Sequence, residues 1–219
     1  MSLEMSFKEV LAKRKSVKEF DPTVKISHEE MEEMIQYATT APSSCNMQPW
    51  RFVIIDTDET KEKIKDLVQF NTRQLNTSSA FIFVLGDVDH FKTLDPIYQK
   101  SVDLGYMPQE VKDQTVGFLS QGLNLKEREY FLYNAMMDAN LAAMQFMLVA
   151  TSYGYDTNPI GGFERQEVME VLDIDTERYF PVMMIAIGKG VKPPYNSSRH
   201  EVSEVISYNK GNNGQVGTI

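Results

Sequence analysis

A short polar loop, Ala41 to Trp50, has residue types well suited to contacting a small ligand. Pro42 and Pro49 lie near its two ends and restrict the backbone. Between them are side chains whose hydroxyl or amide groups both donate and accept hydrogen bonds, namely Ser43, Ser44, Asn46 and Gln48. The loop could therefore contact the polar edge of a planar molecule, although an ordinary connection between a helix and a strand would have the same composition.

The segment Arg14 to Phe20 combines cations with a hydroxyl group. In an extended chain, alternate residues share a face, which would place Arg14, Ser16 and Lys18 together, with Lys15 beside them in the chain. An arginine can bind a phosphate through two parallel hydrogen bonds, and charge-assisted bonds contribute roughly 1.5–3 kcal/mol each. The segment therefore suits an elongated anionic ligand. It would equally suit a solvated basic turn after a helix.

Two further segments offer groups of the same kind. Arg199 stands near Ser197, an arrangement that would fit a second phosphate site or a simple exposed arm. The run Asn158 to Phe163 contains Gly161 and Gly162. Adjacent glycines let the backbone approach a flat ligand and leave its N–H groups accessible, although a plain turn would also use them.

Asn71 and Gln74 precede a predicted strand and carry amide groups that could form hydrogen bonds with the edge of a heterocycle.

The familiar nucleotide-binding motifs are missing from the sequence. No G-x-G-x-x-G follows a predicted strand, and no G-x-x-x-x-G-K-[ST] occurs. A permanent dinucleotide fold or a P-loop is therefore not expected.

The composition limits the classes of protein to consider. A chain of 219 residues with 42% hydrophobic and 24% charged residues is typical of one soluble domain, residues 1–219. The formal net charge of −9 argues against binding to nucleic acid or an anionic membrane. The three histidines are far apart in sequence, so no metal site is expected.

The cysteine content and the N-terminal sequence bear on the compartment. Cys45 is the only cysteine, so no intrachain disulfide can form, and we expect it to be a small packing residue. The N-terminal sequence is too rich in Lys and Glu for a signal peptide, and no stretch is apolar enough to span a bilayer. We therefore expect a cytoplasmic protein.

The remaining segments predict the elements that position these groups. Capping boxes predict helices that begin after Ser6 and Ser27 and end near Arg14 and Thr40. Further helices are predicted at Asp58–Gln69, Tyr130–Tyr153 and Glu164–Leu172, and buried strands at Trp50–Asp56, Ala80–Asp87 and Phe180–Ile187. Residues 89–128 contain several Pro and Gly breakers and are expected to be irregular, and residues 188–219 to form an arm. This irregular alternation predicts an α+β fold with a mixed sheet.

Taken in order, these segments resemble the FMN-dependent nitroreductase family. The resemblance extends from Phe7 to about Val205 and is weakest between residues 89 and 128. It rests on four motifs, Arg14-x-Ser16-x-Lys18, Pro42-Ser43-Ser44-x-Asn46-x-Gln48-Pro49-Trp50, Asn158-Pro159-Ile160-Gly161-Gly162-Phe163 and Arg199. It implies a mixed, mostly antiparallel sheet surrounded by helices, with a long central helix, and a homodimer that holds FMN between its subunits.

The resemblance also implies a role for each candidate residue. Residues matching Arg14, Ser16 and Arg199 hold the FMN phosphate, with Lys15 in the same segment. Residues matching Lys18, Asn71 and Gln74 face the pyrimidine edge of the flavin. The loop with Ser43, Ser44 and Asn46 comes from the partner subunit. The residues matching Pro159, Ile160, Gly161 and Gly162 lie against the flavin, with a backbone amide near its reactive N5 atom.

The activity implied is transfer of a hydride from NADH or NADPH to flavin N5, followed by reduction of a nitroaromatic, a quinone or a related electrophile in a ping-pong reaction. No side chain is expected to be an essential acid or base. The chain departs from the family pattern at Ser197 and Gln74, where many members have a basic residue, and at Gly161, where many have an acidic one. We expect Phe118 and Tyr106 to line a substrate pocket on the side of residues 89–128.

Three alternatives stay open from the sequence. The protein could bind flavin or sense redox state with little turnover. It could catalyse another flavin reaction on the same scaffold, such as reductive dehalogenation or dehydrogenation. It could also be a dimeric structural domain without a cofactor.

Overall fold

A four-stranded sheet lies at the centre of the protein. The computed structural model describes residues 5–209 and 211. Its strands are β1 (Trp50–Ile55), β2 (Ala80–Asp87), β3 (Asp156–Ile160) and β4 (Tyr179–Gly188), in the order β1-β2-β4-β3, with every neighbouring pair antiparallel. The α+β class is confirmed. The mixed character of the sheet is limited, within the described residues, to one parallel bridge between Ser16 and Thr157.

Helices cover both faces of this sheet. The described residues form the helices α1 (Phe7–Lys13), α2 (His28–Ala38), α3 (Asp58–Ile64), α4 (Thr72–Thr77), α5 (Leu94–Asp103), α6 (Gln109–Leu123), α7 (Arg128–Ser152), α8 (Arg165–Val171) and α9 (Val202–Val205). Alternate residues of β2 point to opposite faces, as the strand period of two requires. Ile82 packs with α2 and α7, whereas Phe81 and Phe83 pack with α3, α4 and α8.

The helix starts follow the predicted caps. Ser6 Oγ accepts the N–H of Glu9 at 3.4 Å, and Glu9 Oε2 accepts the N–H of Ser6 at 2.7 Å. Ser27 Oγ accepts the N–H of Glu30 at 3.1 Å. These bonds satisfy N–H groups that have no partner inside the first turn. Both predicted helix starts are confirmed.

The long helix α7 confirms the predicted central helix. It lies close to the sheet because its inward residues are small. A Cβ placed on Gly86 of β2 would stand only 3.0 Å from the Cβ of Ala135. The helix ends before Gly154, whose φ of +84° is the left-handed conformation that commonly closes a helix. Within the part of the chain described, no helix combines the length and apolar character that would let it span a bilayer.

The prediction that residues 89–128 are irregular was wrong, because two helices, α5 and α6, occupy most of the segment. The Pro and Gly residues lie where helices tolerate them. Pro96 is in the first turn of α5, where its missing N–H would have no intrahelical partner. Pro108 is the N-cap of α6, and Gly105, with a φ of +75°, follows α5. Gly117 and Gly122 lie inside α6, where such residues cost stability without breaking the helix.

Two other element predictions also need correction. The strand β3 was not predicted, because the segment Asn158 to Phe163 was interpreted only as a glycine loop that contacts a ligand or as a plain turn. A proline can belong to a strand at the edge of a sheet, where its missing N–H breaks no ladder, and β3 is such an edge. The helix predicted for Asp58–Gln69 is shorter in the structure. It ends at Ile64, and short 3-10 turns follow it. Gln69 has a φ of +50°, which an α-helix cannot contain.

The predicted C-terminal arm begins after β4. Gly190 still pairs with Phe20 in an isolated antiparallel bridge. Residues 191–209 are mostly exposed, including those of the short helix α9. Residue 210 and residues 212–219 of the predicted arm lie outside the described residues. The extent of a single domain stays a prediction.

Candidate functional site

The segment Arg14 to Lys18 lies as an extended ribbon along β3. The N–H of Val17 donates to the carbonyl of Thr157 at 3.0 Å, next to the parallel bridge made by Ser16. Val17 is buried in the core, whereas Ser16 and Lys18 are exposed. Ser16 and Lys18 therefore share the exposed face, as predicted for alternate residues of an extended chain. The ribbon begins at the C-terminal end of α1, where Arg14 and Lys15 are half-buried.

Asn71 joins the beginning of α4 to the glycine pair after β3. Its side-chain Nδ2 donates to the carbonyl oxygens of Val68, at 3.1 Å, and of Gly162, at 3.0 Å. Its Oδ1 accepts a hydrogen bond from Gln74 Nε2 at 3.0 Å. Gln74 is buried, and the bond to Asn71 uses one proton of its amide. Both predicted amides are thus beside the glycine loop, with Asn71 in direct contact with it.

A cavity of about 170 Å³ lies between the ribbon, α4 and the first part of the arm. Its lining residues are Ser16, Lys18, Glu19, Arg73, Lys192, Pro193, Pro194 and Tyr195. Lys192 Nζ contacts Glu19 Oε2 at 2.7 Å. That hydrogen bond, with the charges of Lys192 and Arg73, lowers the pKa of Glu19 below its usual range. The cavity therefore has a local concentration of positive charge in an otherwise acidic chain.

The two glycines after β3 differ in their surroundings. A Cβ placed on Gly161 would meet no atom within 4 Å, whereas one on Gly162 would lie 3.0 Å from Gln69 Oε1. The amide of Gln69 also donates to Glu164 Oε1 at 3.0 Å. Arg165 points a guanidinium nitrogen at the carbonyl of Gly161, 3.4 Å away. The backbone of Gly161 is therefore open to an approaching ligand, while Gly162 is held against neighbouring side chains.

Pro159 and Ile160 lead into this glycine pair from β3. Pro159 is half-buried, and Ile160 is buried in the core on the α8 side of the sheet. The side chain of Ile160 is thus occupied by packing. Any contact that this residue makes with a ligand must come from its backbone.

The polar loop that carries Ser43, Ser44 and Asn46 lies at the other edge of the sheet. It precedes β1, which is separated from β3 by two strands. Three strand spacings of about 4.8 Å amount to roughly 14 Å. The N–H of Ser44 donates to Asp138 Oδ2 at 2.9 Å, and Asn46 is exposed. A single chain does not bring this loop to Gly161.

Arg199 lies on the exposed arm. Its guanidinium donates to Ser197 Oγ and to the carbonyl of Ser198, each at 2.7 Å. Within the described residues, both of these hydrogen bonds are to the arm itself. The structure therefore places the ribbon along β3, the strand that leads into Gly161 and Gly162, and places Asn71 and Gln74 beside Gly162. It leaves the polar loop and Arg199 apart from them.

Several residues beside this cluster were not predicted from the sequence. Gln69 was predicted to be the last residue of a helix, and Phe70 was given no role. The side chain of Phe70 is 98% exposed next to Asn71. Arg73 was passed over in favour of the amides on either side of it, although its charge faces the ribbon. A fully exposed phenylalanine is an uncommon feature that only the structure could reveal. The cationic type of Arg73 was a signal present in the sequence.

Phe118 and Tyr106 are 76% and 77% exposed, on α6 and between α5 and α6. Val111 lies one heptad before Phe118 and shares its side of α6, with 45% of its surface exposed. The assignment of Phe118 and Tyr106 to a substrate pocket stays a prediction.

Comparison with known proteins agrees with this architecture. A model of the nitroreductase family matches residues 11–189. YdgI of Bacillus subtilis, whose name records a proposed NAD(P)H nitroreductase activity, is 45% identical over 202 residues, which cover 92% of this chain and 97% of that protein. The CLA biosynthesis enone reductase of Lactiplantibacillus plantarum is 37% identical over 194 residues, covering 88% of this chain and 89% of that protein.

Solved structures show the same relationship. The crystal structure of an Exiguobacterium sibiricum protein described as a nitroreductase in complex with FMN superposes with a TM-score of 0.92 at 40% identity. The match covers 95% of this chain and 100% of that chain. The prediction of an oxidoreductase enzyme with this fold is confirmed. Since the family model spans most of the sequence and the relatives match along nearly their whole length, the chain belongs to the nitroreductase family.

Proposed function

We propose that this protein is an FMN-dependent oxidoreductase that takes reducing equivalents from NADH or NADPH and passes them to a small electrophile. The observation that carries the proposal is that the ribbon Arg14–Lys18 lies along β3. That strand leads into the open backbone of Gly161, and Asn71 is bonded to the neighbouring Gly162. The FMN-bound relative from Exiguobacterium sibiricum, with the same fold, supports the choice of cofactor.

The residues present fit this cofactor. Arg14 and Ser16 offer a cation and a hydroxyl group for the phosphate, and Ser16 is exposed on the outer side of the ribbon. Lys18 and Arg73 place positive charge beside the adjoining cavity. The space above Gly161 would accept a flat ring, because not even a Cβ there would meet another atom within 4 Å. Gln74, held by Asn71, completes a set of hydrogen-bonding groups for a heterocycle edge.

FMN, when bound, supplies the chemistry that no side chain here provides, namely accepting a hydride and later releasing two electrons. The part of the protein is to bind the cofactor and to orient it. Positive charge from Lys18 would favour the anionic reduced state of the cofactor, because opposite charges attract more strongly away from bulk water. Asn71 fixes the position of the Gly162 peptide and so the direction of the backbone amides nearby. Since the nicotinamide nucleotide and the electrophile would use the same open side in turn, we expect ping-pong kinetics.

A second copy of the chain would complete the site. Apolar side chains on the outer faces of α1 and α7 are exposed, namely Phe7, Leu11, Met137, Leu141 and Met144. A groove of about 540 Å³ runs between these two helices. Exposed apolar side chains grouped around one groove suit an interface between copies. A partner in a homodimer would also bring the loop with Ser43, Ser44 and Asn46, and Arg199, to a site that one chain leaves open.

The electrophile is the least defined part of the proposal. We expect a nitroaromatic, a quinone or a related acceptor. The relative from Lactiplantibacillus plantarum is named as an enone reductase, so an activated carbon–carbon double bond belongs among the acceptors to test. The fully exposed ring of Phe70 beside Asn71 would suit stacking against a flat acceptor. We expect the protein to act in the cytoplasm.

An anaerobic titration of the FMN-reconstituted protein with NADPH, and separately with NADH, tests this function. Free FMN at the same concentration is the control. Fast, stoichiometric loss of the flavin absorbance that reverses on adding a nitroaromatic, a quinone or an enone is the expected result. Bound flavin that both nucleotides leave oxidised would favour a flavin-binding or sensing protein. Failure to bind FMN would overturn the proposal.

A further inference from the structure

The polar loop before β1 has a backbone conformation that residues other than glycine and asparagine rarely adopt. Cys45, Asn46 and Gln48 have φ values of +50°, +53° and +48°, in the left-handed region that favours glycine. None of them is a glycine. Strained residues persist only where their surroundings hold them, and they gather at ligand sites and switch regions. The loop must therefore be restrained by specific contacts.

Asp138 provides a restraint on the first half of the loop. Its carboxylate is only 4% exposed and accepts the N–H of Ser44 at 2.9 Å and the hydroxyl of Ser44 at 3.4 Å. Asp138 lies in the middle of α7, between Ala135 and Ala142, which are fully buried against the sheet. A carboxylate on a helix packed in this way has little freedom to move. It therefore offers Ser44 a fixed point of attachment.

The second half of the loop is held by other elements. The hydroxyl of Thr93 lies between the carbonyl oxygens of His90, at 2.6 Å, and of Met47, at 2.9 Å, and Arg51 donates to the carbonyl of Gln48 at 3.0 Å. The N–H of Gln48 donates to Ser43 Oγ within the loop at 3.0 Å. These bonds are independent of α7. Loss of the Asp138 carboxylate would thus release the N-terminal half of the loop while its C-terminal half stays anchored.

We infer that Asp138 is a positioning residue that holds this loop in its strained form before FMN arrives. The inference rests on the proposed function, in which the loop contacts FMN bound to the partner subunit. A loop already held in its binding conformation loses less conformational entropy when the ligand binds. Because Asp138 uses the N–H of Ser44, contacts with the cofactor are left to the side chains of the loop, such as the exposed Asn46.

Three variants separate positioning from a general loss of stability. Asp138→Ala removes both bonds to Ser44. Asp138→Asn keeps an oxygen that can accept the N–H and an amide that can donate to the hydroxyl. Tyr155→Phe is the matched control. It removes a hydrogen bond of 2.7 Å from Tyr155, which follows α7, to Glu30 of α2, and it leaves the loop untouched.

Two measurements are made on each variant. Hydrogen exchange of the Ser44 amide is followed in FMN-free protein, and FMN affinity is measured by equilibrium titration. In Asp138→Ala we expect faster exchange at Ser44 and FMN affinity at least tenfold weaker. In Asp138→Asn we expect both to return to within about threefold of wild type. Tyr155→Phe should lower the melting temperature while leaving FMN affinity unchanged.

Three experimental outcomes would contradict different parts of the inference. Unchanged Ser44 exchange in Asp138→Ala would show that the carboxylate does not hold the loop, whether or not FMN binds. Equal losses of FMN affinity in all three variants would reduce the role of Asp138 to stability and overturn the inference. Failure of wild-type protein to bind FMN, with faster Ser44 exchange in Asp138→Ala, would refute the proposed function and the cofactor role while leaving the restraint itself established.

Discussion

The side-chain amide of Asn71 donates a hydrogen bond to the main-chain carbonyl of Gly162 over 3.0 Å. This contact joins the beginning of α4 to the end of β3, two segments that are 91 positions apart in the sequence. Gly162 follows β3, the strand along which the ribbon that carries Arg14 lies.

Replacing each glycine by alanine tests how closely Gly162 is held. Neither glycine has a positive φ, so the backbone accepts alanine at both positions. In Gly162→Ala the new Cβ would force Gln69 away and weaken its bond to Glu164, at a cost of about 1 kcal/mol in the free energy of unfolding. Gly161→Ala, the matched control, should change that free energy by less than about 0.5 kcal/mol. Urea unfolding measures both. Equal costs for the two variants would contradict the packing described for Gly162.

Arg14→Ala tests the proposed phosphate contact. Loss of a charge-assisted hydrogen bond should weaken FMN affinity about tenfold or more, with each factor of ten equal to about 1.4 kcal/mol. Lys8→Ala removes an equal charge from the exposed surface of α1 and should leave affinity nearly unchanged. Equilibrium titration of the apoprotein, followed by flavin fluorescence, measures both. If Arg14→Ala binds FMN as tightly as wild type, Arg14 does not belong to the site.

Leu141→Glu tests whether the outer face of α7 is an interface between copies. Leu141 is 48% exposed, and burying a new carboxylate against an apolar surface is unfavourable. We expect sedimentation velocity to show a monomer and FMN affinity to fall with it. Val171→Glu on α8 is the control, since Val171 is exposed to a similar extent, 43%, and lies away from α7. A Leu141→Glu protein that still sediments as a dimer would place the interface elsewhere.

His90 predicts a pH dependence of stability. It is fully buried, its Nδ1 donates to the carbonyl of Asp87 at 2.7 Å, and no described group pairs with its Nε2. Burial lowers the pKa of His90 below its usual value, and the charge of Arg51 acts in the same direction. The Asp87 carbonyl and the charges of Asp138 and Asp87 oppose the shift only in part.

The direction of the pH effect follows from the lowered pKa. Below about pH 6.5 the unfolded chain takes up a proton at His90 before the folded chain does, so the free energy of unfolding decreases as pH falls toward the folded pKa. Above that range the contribution is fully present. In His90→Gln, which keeps a donor for the Asp87 carbonyl, this part of the change in the free energy of unfolding with pH should be absent. Urea unfolding between about pH 7.5 and 5.5 measures it, and parallel profiles for the two proteins would contradict the prediction.

Local features of the fold could be predicted because their causes lie close together in the chain. Ser6 and Ser27 cap helices through neighbours three residues away. The buried strand Ala80–Asp87 was predicted with its observed bounds, because a short β-rich apolar run identifies it by composition. The ribbon alternation at Ser16 and Lys18 follows from the geometry of extended chain. These are consequences of sequence spacing alone.

Other features depended on partners distant in the sequence. Pro159 belongs to a strand only because β3 lies at the edge of the sheet, which the chain order does not reveal. The breakers between residues 89 and 128 fall at helix ends or are tolerated within a helix, and packing against other elements stabilises α5 and α6 despite them.

The residues proposed to bind FMN could be named from their types and order, because cations, amides and glycines carry that chemistry wherever they stand. Their spatial relationship could not. Only the tertiary structure brought Asn71 to Gly162, exposed Phe70, and placed the polar loop at the opposite edge of the sheet from Gly161. The physical reason is that side-chain chemistry is a local property of the chain, whereas the distances between those side chains are set by long-range strand pairing and core packing.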